Sequence, residues 1–411
     1  MPFPIICLTN TFPFRGEQFL RTELELVGTD NPIVLWTLMP PEPGSRPMLD
    51  RDAIEMHAFD SGKLSCLARA KAAFSSLTQL FRTGETRAAL GKRGRVRNLL
   101  KALKFGYVSE LRAKEIADWV RKSYGERPRL LFYSYWMYEA AYVSARLKGL
   151  FPGCRFVTRC HGYDVYETRH INGYLPYRRF ILDRADAVFP ISDDAKRYLS
   201  ALYDGVYDHK TQVARLGSVR AFEPAKAEKT EGIIIASCSN LIPVKRVTRI
   251  PEALQDGRLD LEWYHFGEGE TRSAVEKAAE KLPQSIGVHL MGYTPNREVQ
   301  RFYATHPVTA FLNVSESEGI PVSIMEAQSY GIPVIATDVG GTSEIVRDGV
   351  NGVLLPKDFT DQDLLRAIEA VKENRETYSR NALVTWARMS DQGQLAREFY
   401  GHLIQLGQGP A

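Results

Sequence analysis

The chain has 411 residues, of which 44% are hydrophobic and 25% charged, with a formal net charge of +4. That length exceeds one ordinary core and predicts two domains, and the balance excludes a fibrous or disordered chain. The five cysteines, Cys7, Cys66, Cys154, Cys160 and Cys238, are odd in number and form no C-x-x-C, which indicates neither a disulfide framework nor a structural zinc site.

The start, MPFPIICLTNTFPF, lacks the basic and long apolar regions of a signal peptide, and nowhere does an apolar run reach membrane-spanning length. A cytoplasmic chain without a membrane span is therefore expected. Short apolar runs follow one another along the chain: PIICLT (4–9), PIVLWTL (32–38), LLFYSYW (130–136), RFVTRC (155–160) and AVFPIS (187–192). A second series comprises GIIIASCS (232–239), LEWYHFG (261–267), VTAFLNVS (308–315) and PVIATD (333–338). Alternating with amphipathic helical patterns, they predict buried parallel strands in βαβ units, an α/β fold of the doubly wound kind.

Between the second and third runs, residues 63–129 hold 17 Lys and Arg against 5 Asp and Glu, a local charge of +12. Helix-like spacing appears there in LARAKAAFSSLTQLF and RNLLKALKFGYVSELRAKEIADWVRKSYG. The polar stretch SVRAFEPAKAEKTEG (218–232) has no periodicity and reads as a linker. The expected organisation is an N-terminal domain over 1–217, a linker over 218–231, a C-terminal domain over 232–395, and a final helix over 396–411 that can return to the first domain.

In ESEGIPVSIMEAQSYGIPVIATD (316–338), Gly319 and Pro321 suit the start of a helix and Gly331 its end. At about 100° per residue, Glu318 and Glu326 lie roughly 80° apart and about two turns along the axis. Free N–H groups from Gly319 to Val322 and the positive helix end make an anion site, beside which two carboxylates accept from hydroxyls. Phosphate plus sugar hydroxyls is the ligand this suggests. Spacing alone leaves a second reading open, in which Glu318 is a helix N-terminal charge and Glu326 a solvated one.

The segment resembles the donor site of family-4 retaining glycosyltransferases, ESEGxPxxxxEAxxxGxPVIATxxGGxxEIV. Glu318, Gly319, Pro321, Glu326, Ala327, Gly331, Pro333, Val334, Gly340, Gly341, Glu344 and Ile345 fall on its positions. GIIIASCSNLIPVKRV (232–247) resembles the family's strand and loop in which Arg and Lys, five apart, hold the diphosphate. Lys245 takes the lysine position, whereas Asn240 stands where arginine is usual; that contact is weaker, or Arg246 substitutes. FGEGETRSAVEKAAEKL (266–282) resembles the family's GxGxxxxxLExxA, and its missing third glycine argues against a dinucleotide fingerprint. HLMGYTPNREVQRFYA (289–304) resembles the turn that cups the nucleotide base through backbone near Tyr293, and NGVLLPKD (351–358) matches NGxLxxxxD.

In the first half, CRFVTRCHGYDVYE (154–167) resembles the strand ending in HG-x-D, which would set His161 at a strand's carboxyl end, facing the donor hexose. A lone histidine is more often structural; the motif is what assigns it. TNTFPFRGEQFLRTELELVG (9–28) resembles the polysaccharide-building branch, where Gly16 permits close backbone approach to the diphosphate. Glu17 joins that contact or is simply an N-terminal helix charge. The resemblance spans nearly the whole chain and is weakest across 40–130.

It implies the glycosyltransferase-B architecture, two facing Rossmann-like domains with a cleft between them. It further implies retaining transfer of a hexose from a UDP-, GDP- or ADP-sugar to a glycan or polyprenyl-diphosphate-linked acceptor, in bacterial exopolysaccharide, capsule or O-antigen assembly. Glu318, His161 and Lys245 form the implied catalytic set. Glu326 would take the ribose hydroxyls and Glu318 those of the hexose. Lys245 and the turn Gly319, Ile320, Pro321 and Val322 would stabilise the leaving diphosphate, with no metal and no cofactor required. The two-carboxylate hydrolase scheme needs both groups at the scissile bond, so a front-face substitution fits better. The basic window 63–129 either docks on an anionic inner leaflet or is a solvated face, and no nucleic-acid platform accompanies it. The rival from another class is a non-catalytic nucleotide-sugar-binding paralogue, resting on Asn240.

Overall fold

The computed structural model describes residues 4–14, 18–27, 32–42, 44, 46–47, 49, 54–60, 62, 65–224, 232–255 and 259–409. Two compact units result, Met1–Ala214 with Ala396–Ala411, and Arg215–Leu395.

In the first unit, β1 (Ile5–Thr9), β2 (Ile33–Thr37), β3 (Glu55–Ala58), β4 (Leu131–Ser134), β5 (Arg155–Cys160) and β6 (Ala187–Pro190) form a parallel sheet in the order β3-β2-β1-β4-β5-β6. Successive residues of β1 point to opposite faces. Ile5 and Cys7 enter one core with Leu35 and Tyr133, while Ile6 and Leu8 enter another with Val34 and Phe132. Burial on both faces is what a doubly wound sheet requires, and it explains why these strands read as continuous apolar runs.

The second unit repeats the plan. Its strands are β7 (Ile233–Cys238), β8 (Leu261–Phe266), β9 (Ile286–Gly292), β10 (Ala310–Asn313), β11 (Val334–Thr337) and β12 (Gly352–Leu355). All pair in parallel in the order β12-β11-β10-β7-β8-β9. Both sheets therefore have the 3-2-1-4-5-6 strand order, whose switch point falls between β1 and β4 and between β7 and β10. Ligands of open α/β sheets bind at such a switch, beyond the strands' carboxyl ends.

The unit boundary lies slightly ahead of the expected residue 217. Gln212 and Ala214 still donate to the carbonyls of Val188 and Pro190, extending the edge of β6. By contrast, the amide of Gly217 donates to Gln392 Oε1 at 2.6 Å and that of Ala221 to Gln300 Oε1 at 2.8 Å, both in the second unit. The first part of the stretch read as a linker is thus packed; residues 225–231 lie outside the described residues.

One feature of the first core is charged. Arg159 of β5 pairs with Glu23 of the helix Gln18–Leu26, and both side chains are about fully buried. The guanidinium also donates to the Ala214 carbonyl at 3.0 Å and lies 4.4 Å from the Phe399 ring centroid. Burying two charges costs several kcal/mol for each, so the pair persists only because its geometry and added hydrogen bonds offset that loss. It fastens the first helix to the sheet. Among the described residues no helix is long and apolar enough to cross a membrane.

Candidate active site

At the second unit's switch point, the β10 strand runs out through Asn313, Val314 and Ser315 into the loop that carries Glu318. Every turn of that loop is held. Thr337 Oγ1 donates to the Ser315 carbonyl at 2.6 Å, and Arg246 donates through Nε to the Val314 carbonyl at 2.9 Å and through Nη2 to that of Ser315 at 3.3 Å. From the other side, the amide of Gly341 donates to the Gly319 carbonyl at 2.7 Å. A Cβ on Gly340, whose φ is 57°, would lie 2.1 Å from the Glu318 carbonyl oxygen. Only glycine permits this approach.

The clamped loop presents Glu318 to three donors at one oxygen. Lys245 Nζ and Ser315 Oγ reach its Oε1 at 2.6 Å each, and Asn313 Nδ2 at 3.2 Å. The second oxygen, Oε2, accepts from none of the described residues. Lys245 closes the short turn Pro243–Lys245 that follows β7, so the ion pair ties the two strands flanking the switch. Charge-assisted bonds of this kind are stronger than neutral ones and fix direction.

Past Glu318 the chain turns at Pro321 into the helix Val322–Ser329, which ends at Gly331 in the left-handed region with φ 69°. The amides of Gly319, Ile320, Val322 and Ser323 find no acceptor among the described residues. Unpaired amides at a helix start are the kind of donor set that can receive an anion. Glu326, within this helix, accepts from Asn296 Nδ2 at 2.8 Å through Oε1 alone. Burial pushes its carboxyl up to about 7. The Cys238 thiol at the end of β7 is pushed up to about 12, first by burial and then by the Glu326 charge, with Lys245 opposing.

Other expected positions fare differently. Asn240 is exposed on the loop after β7. Arg246, one of the two alternatives for the missing arginine's contact, donates to the Val314 and Ser315 carbonyls and braces the loop. Ile320 is buried in the core beside Ile324. Tyr293 is 83% exposed on the turn after β9. Gly16 and Glu17 lie outside the described residues. Gly267 and Gly269 let the end of β8 lie against the loop after β7: a Cβ there would meet the Ser239 and Leu241 carbonyl oxygens at 1.9 and 2.3 Å. The glycine pair is thus a packing device.

In the first unit, His161 is buried at the carboxyl end of β5, with its ring 4.8 Å from that of Tyr135 and 4.2 Å from that of Trp136. Its Nδ1 faces Asp164, 4.0 Å from Oδ2, while Nε2 has no hydrogen-bond partner among the described residues. Burial and the nearby Arg159 charge hold its pKa well below the ordinary value, so the imidazole is neutral. Asp164 accepts from the amides of His161 and Met137, the latter at 2.6 Å, and fixes the turn that follows.

Asn313, Ser315 and Asn296, which hold the two carboxylates, are positions that motif reading passes over. The first two could have been suspected from their place at the end of the run VTAFLNVS; nothing local marks the third.

Residues 219–384 match the family model of glycosyl transferases group 1. Over 230 residues the chain is 28% identical to a protein of Escherichia coli (strain K12) that bears the name "Putative colanic acid biosynthesis glycosyltransferase WcaL", covering 53% of this chain and 56% of that one. Its namesake in Salmonella typhimurium (strain LT2) is 25% identical over 264 residues, covering 61% and 63%. The match spans less than two thirds of either relative. Among solved structures, Anabaena Alr3699/HepE in complex with UDP and glucose is similar over 97% of this chain and 98% of that one, with a TM-score of 0.64 at 16% identity. A likeness at that identity establishes the fold alone.

Proposed function

We propose that this chain, which has the glycosyltransferase-B fold and carries a glycosyl transferases group 1 domain, transfers a hexose from a nucleotide-diphosphate sugar to a glycan or polyprenyl-diphosphate-linked acceptor with retention of anomeric configuration. The observation that carries this reading is the convergence of Lys245, Ser315 and Asn313 on one oxygen of Glu318, beside four open amides. The filled oxygen fixes the carboxylate, and Oε2 is left to accept from a sugar hydroxyl. Glu326 is arranged alike, with one oxygen held by Asn296 and the other free for ribose.

The chemistry follows from that division. As the bond from the anomeric carbon to the diphosphate oxygen breaks, negative charge grows on the leaving group, where Lys245 and the amides stabilise it. The acceptor hydroxyl attacks the anomeric carbon from the same face and yields its proton to the departing phosphate oxygen. A nucleoside diphosphate and a lengthened glycan leave. No step calls for a metal. The neutral His161 leaves Nε2 open to a hydrogen bond at the carboxyl end of β5 in the first unit. The UDP and glucose of the Anabaena structure support a UDP-sugar, and the WcaL relatives support a bacterial surface polysaccharide as the product.

Incubation with UDP-, GDP- and ADP-sugars and lipid-linked acceptor extracts, with product anomers assigned by NMR, tests the proposal. One donor should be consumed with its configuration kept. An inverted product sinks the front-face scheme, and no turnover with any pair sinks the enzyme. A specific observation favours a second reading, a binding subunit without catalysis: Asn240 carries no charge and Arg246 is committed elsewhere, which leaves Lys245 as the cation at Glu318. Such a subunit binds nucleotide without turning it over.

A further inference from the structure

The helix Cys66–Arg82 is packed with its small residues inward. Ala68, Ala72, Ser76 and Leu80 are its buried stripe, laid against the helix Arg95–Tyr124, where Ser76 Oγ donates to the Leu103 carbonyl at 3.3 Å. Apart from Leu80, its large apolar residues point the other way: Leu67 is 64% exposed, Phe74 75%, Leu77 48% and Phe81 69%. At about 100° per residue these four fall within an arc of roughly 80°, opposite the buried stripe. A helix of a globular unit has the reverse arrangement, large residues in and small or charged ones out. Val96 and Leu100, one turn apart at the start of the neighbouring helix, are exposed as well, at 71% and 61%.

Charge accompanies this apolar arc. Residues 65–104 contain ten Lys and Arg against one acid, Glu85, which is buried and accepts from the Tyr174 hydroxyl. Lys71, Arg82, Arg87, Arg93, Arg97 and Lys104 are exposed. On the helical wheel Lys71 and Arg82 border the apolar arc, where their stems can lie along it and their charges reach outward.

We propose that this face docks on a bilayer containing anionic phospholipid, with Leu67, Phe74, Leu77 and Phe81 in the acyl boundary and the surrounding cations at the phosphates. An anionic membrane surface complements both features at once, and a contiguous exposed apolar patch of this kind marks an interaction site. Docking of the first unit would bring a lipid-linked acceptor and the protein to the same surface. Vesicle binding needs no donor or acceptor, so its outcome stands apart from that of sugar transfer.

The test is flotation with phosphatidylcholine vesicles with and without phosphatidylglycerol. The wild type should float with the anionic vesicles, less at high salt, and scarcely with phosphatidylcholine alone. Phe74→Ser with Phe81→Ser should weaken binding about tenfold or more. Lys71→Gln, Arg93→Gln and Arg97→Gln should weaken it about fivefold for each charge removed. Unchanged thermal unfolding and nucleotide binding would show both variants folded. An environment-sensitive label on the exposed Cys66, on the same helix, should shift to the blue with anionic vesicles only. No flotation of the wild type, equal binding to neutral vesicles, or undiminished binding of the two variants overturns the proposal, including in favour of an acidic protein partner.

Discussion

Lys245 and Glu318 hold each other at 2.6 Å across the switch point of the second sheet, one following β7 and the other following β10. The pair keeps one carboxylate oxygen occupied and fixes the lysine, so each residue positions its partner; in the proposed reaction that lysine meets the leaving diphosphate. Replacing Lys245 by Met removes the cation that meets the developing charge. Turnover should fall by about a hundredfold to a thousandfold with the donor that binds best. Glu318→Gln, which retains hydrogen bonding without charge, should lose less than Glu318→Ala. Initial rates of nucleoside diphosphate release measure both.

Glu326 supplies a pH signature. Its folded carboxyl is raised from 4.5 to about 7 by burial, so the folded state binds the proton more tightly than the unfolded one. Its contribution to stability is therefore full below about pH 4.5 and is lost as pH rises through about 7. In the proposed site the ionised form is the stronger acceptor for ribose hydroxyls. Nucleotide affinity should thus climb by up to about tenfold per unit between pH 5.5 and 7 and then level off. Glu326→Gln should bind weakly and without this climb, and should be more stable than the wild type at pH 8. Calorimetric titrations and thermal unfolding across pH check the two halves separately.

Gly340→Ala should act on the site without touching a ligand. The added methyl would press on the Glu318 carbonyl from a left-handed backbone, displacing the loop or the turn. A loss of roughly 2 kcal/mol of stability is expected. Donor binding should fall with it, whereas Gly349→Ala, also at positive φ but with nothing near its Cβ, should leave binding intact.

Arg159→Met should cost about 3–5 kcal/mol, because it leaves the buried Glu23 without its partner. The double variant with Glu23→Leu should recover much of that loss. Denaturant unfolding of the two single variants and the double one gives the coupling directly.

The strands that the sequence discloses are the central ones and β6. β3, β9 and β12 pass unnoticed, and each lies at a sheet edge. An edge strand is half solvated, so β3 reads Glu-Met-His-Ala and β9 carries His289 paired with Glu262, which breaks the apolar run. In the site, Glu318, Glu326 and Lys245 were legible because charged residues in an otherwise apolar motif stand out. Asn296 was not, since a surface asparagine gains meaning only through Glu326, thirty residues later in the chain. Gly340 likewise shows its use only against the Glu318 carbonyl, and Arg159 only against Glu23. For Arg246 the sequence shows a charge but not the two carbonyls that hold it.

The most direct test is calorimetric titration of UDP and GDP into the wild type, Lys245→Met, Glu318→Ala and Glu326→Gln at pH 8. One nucleotide should bind a single site on the wild type, and each substitution should weaken it by about tenfold or more. Binding that is absent from the wild type, or that survives all three substitutions unchanged, would contradict a nucleotide-sugar site at the ends of β7 and β10.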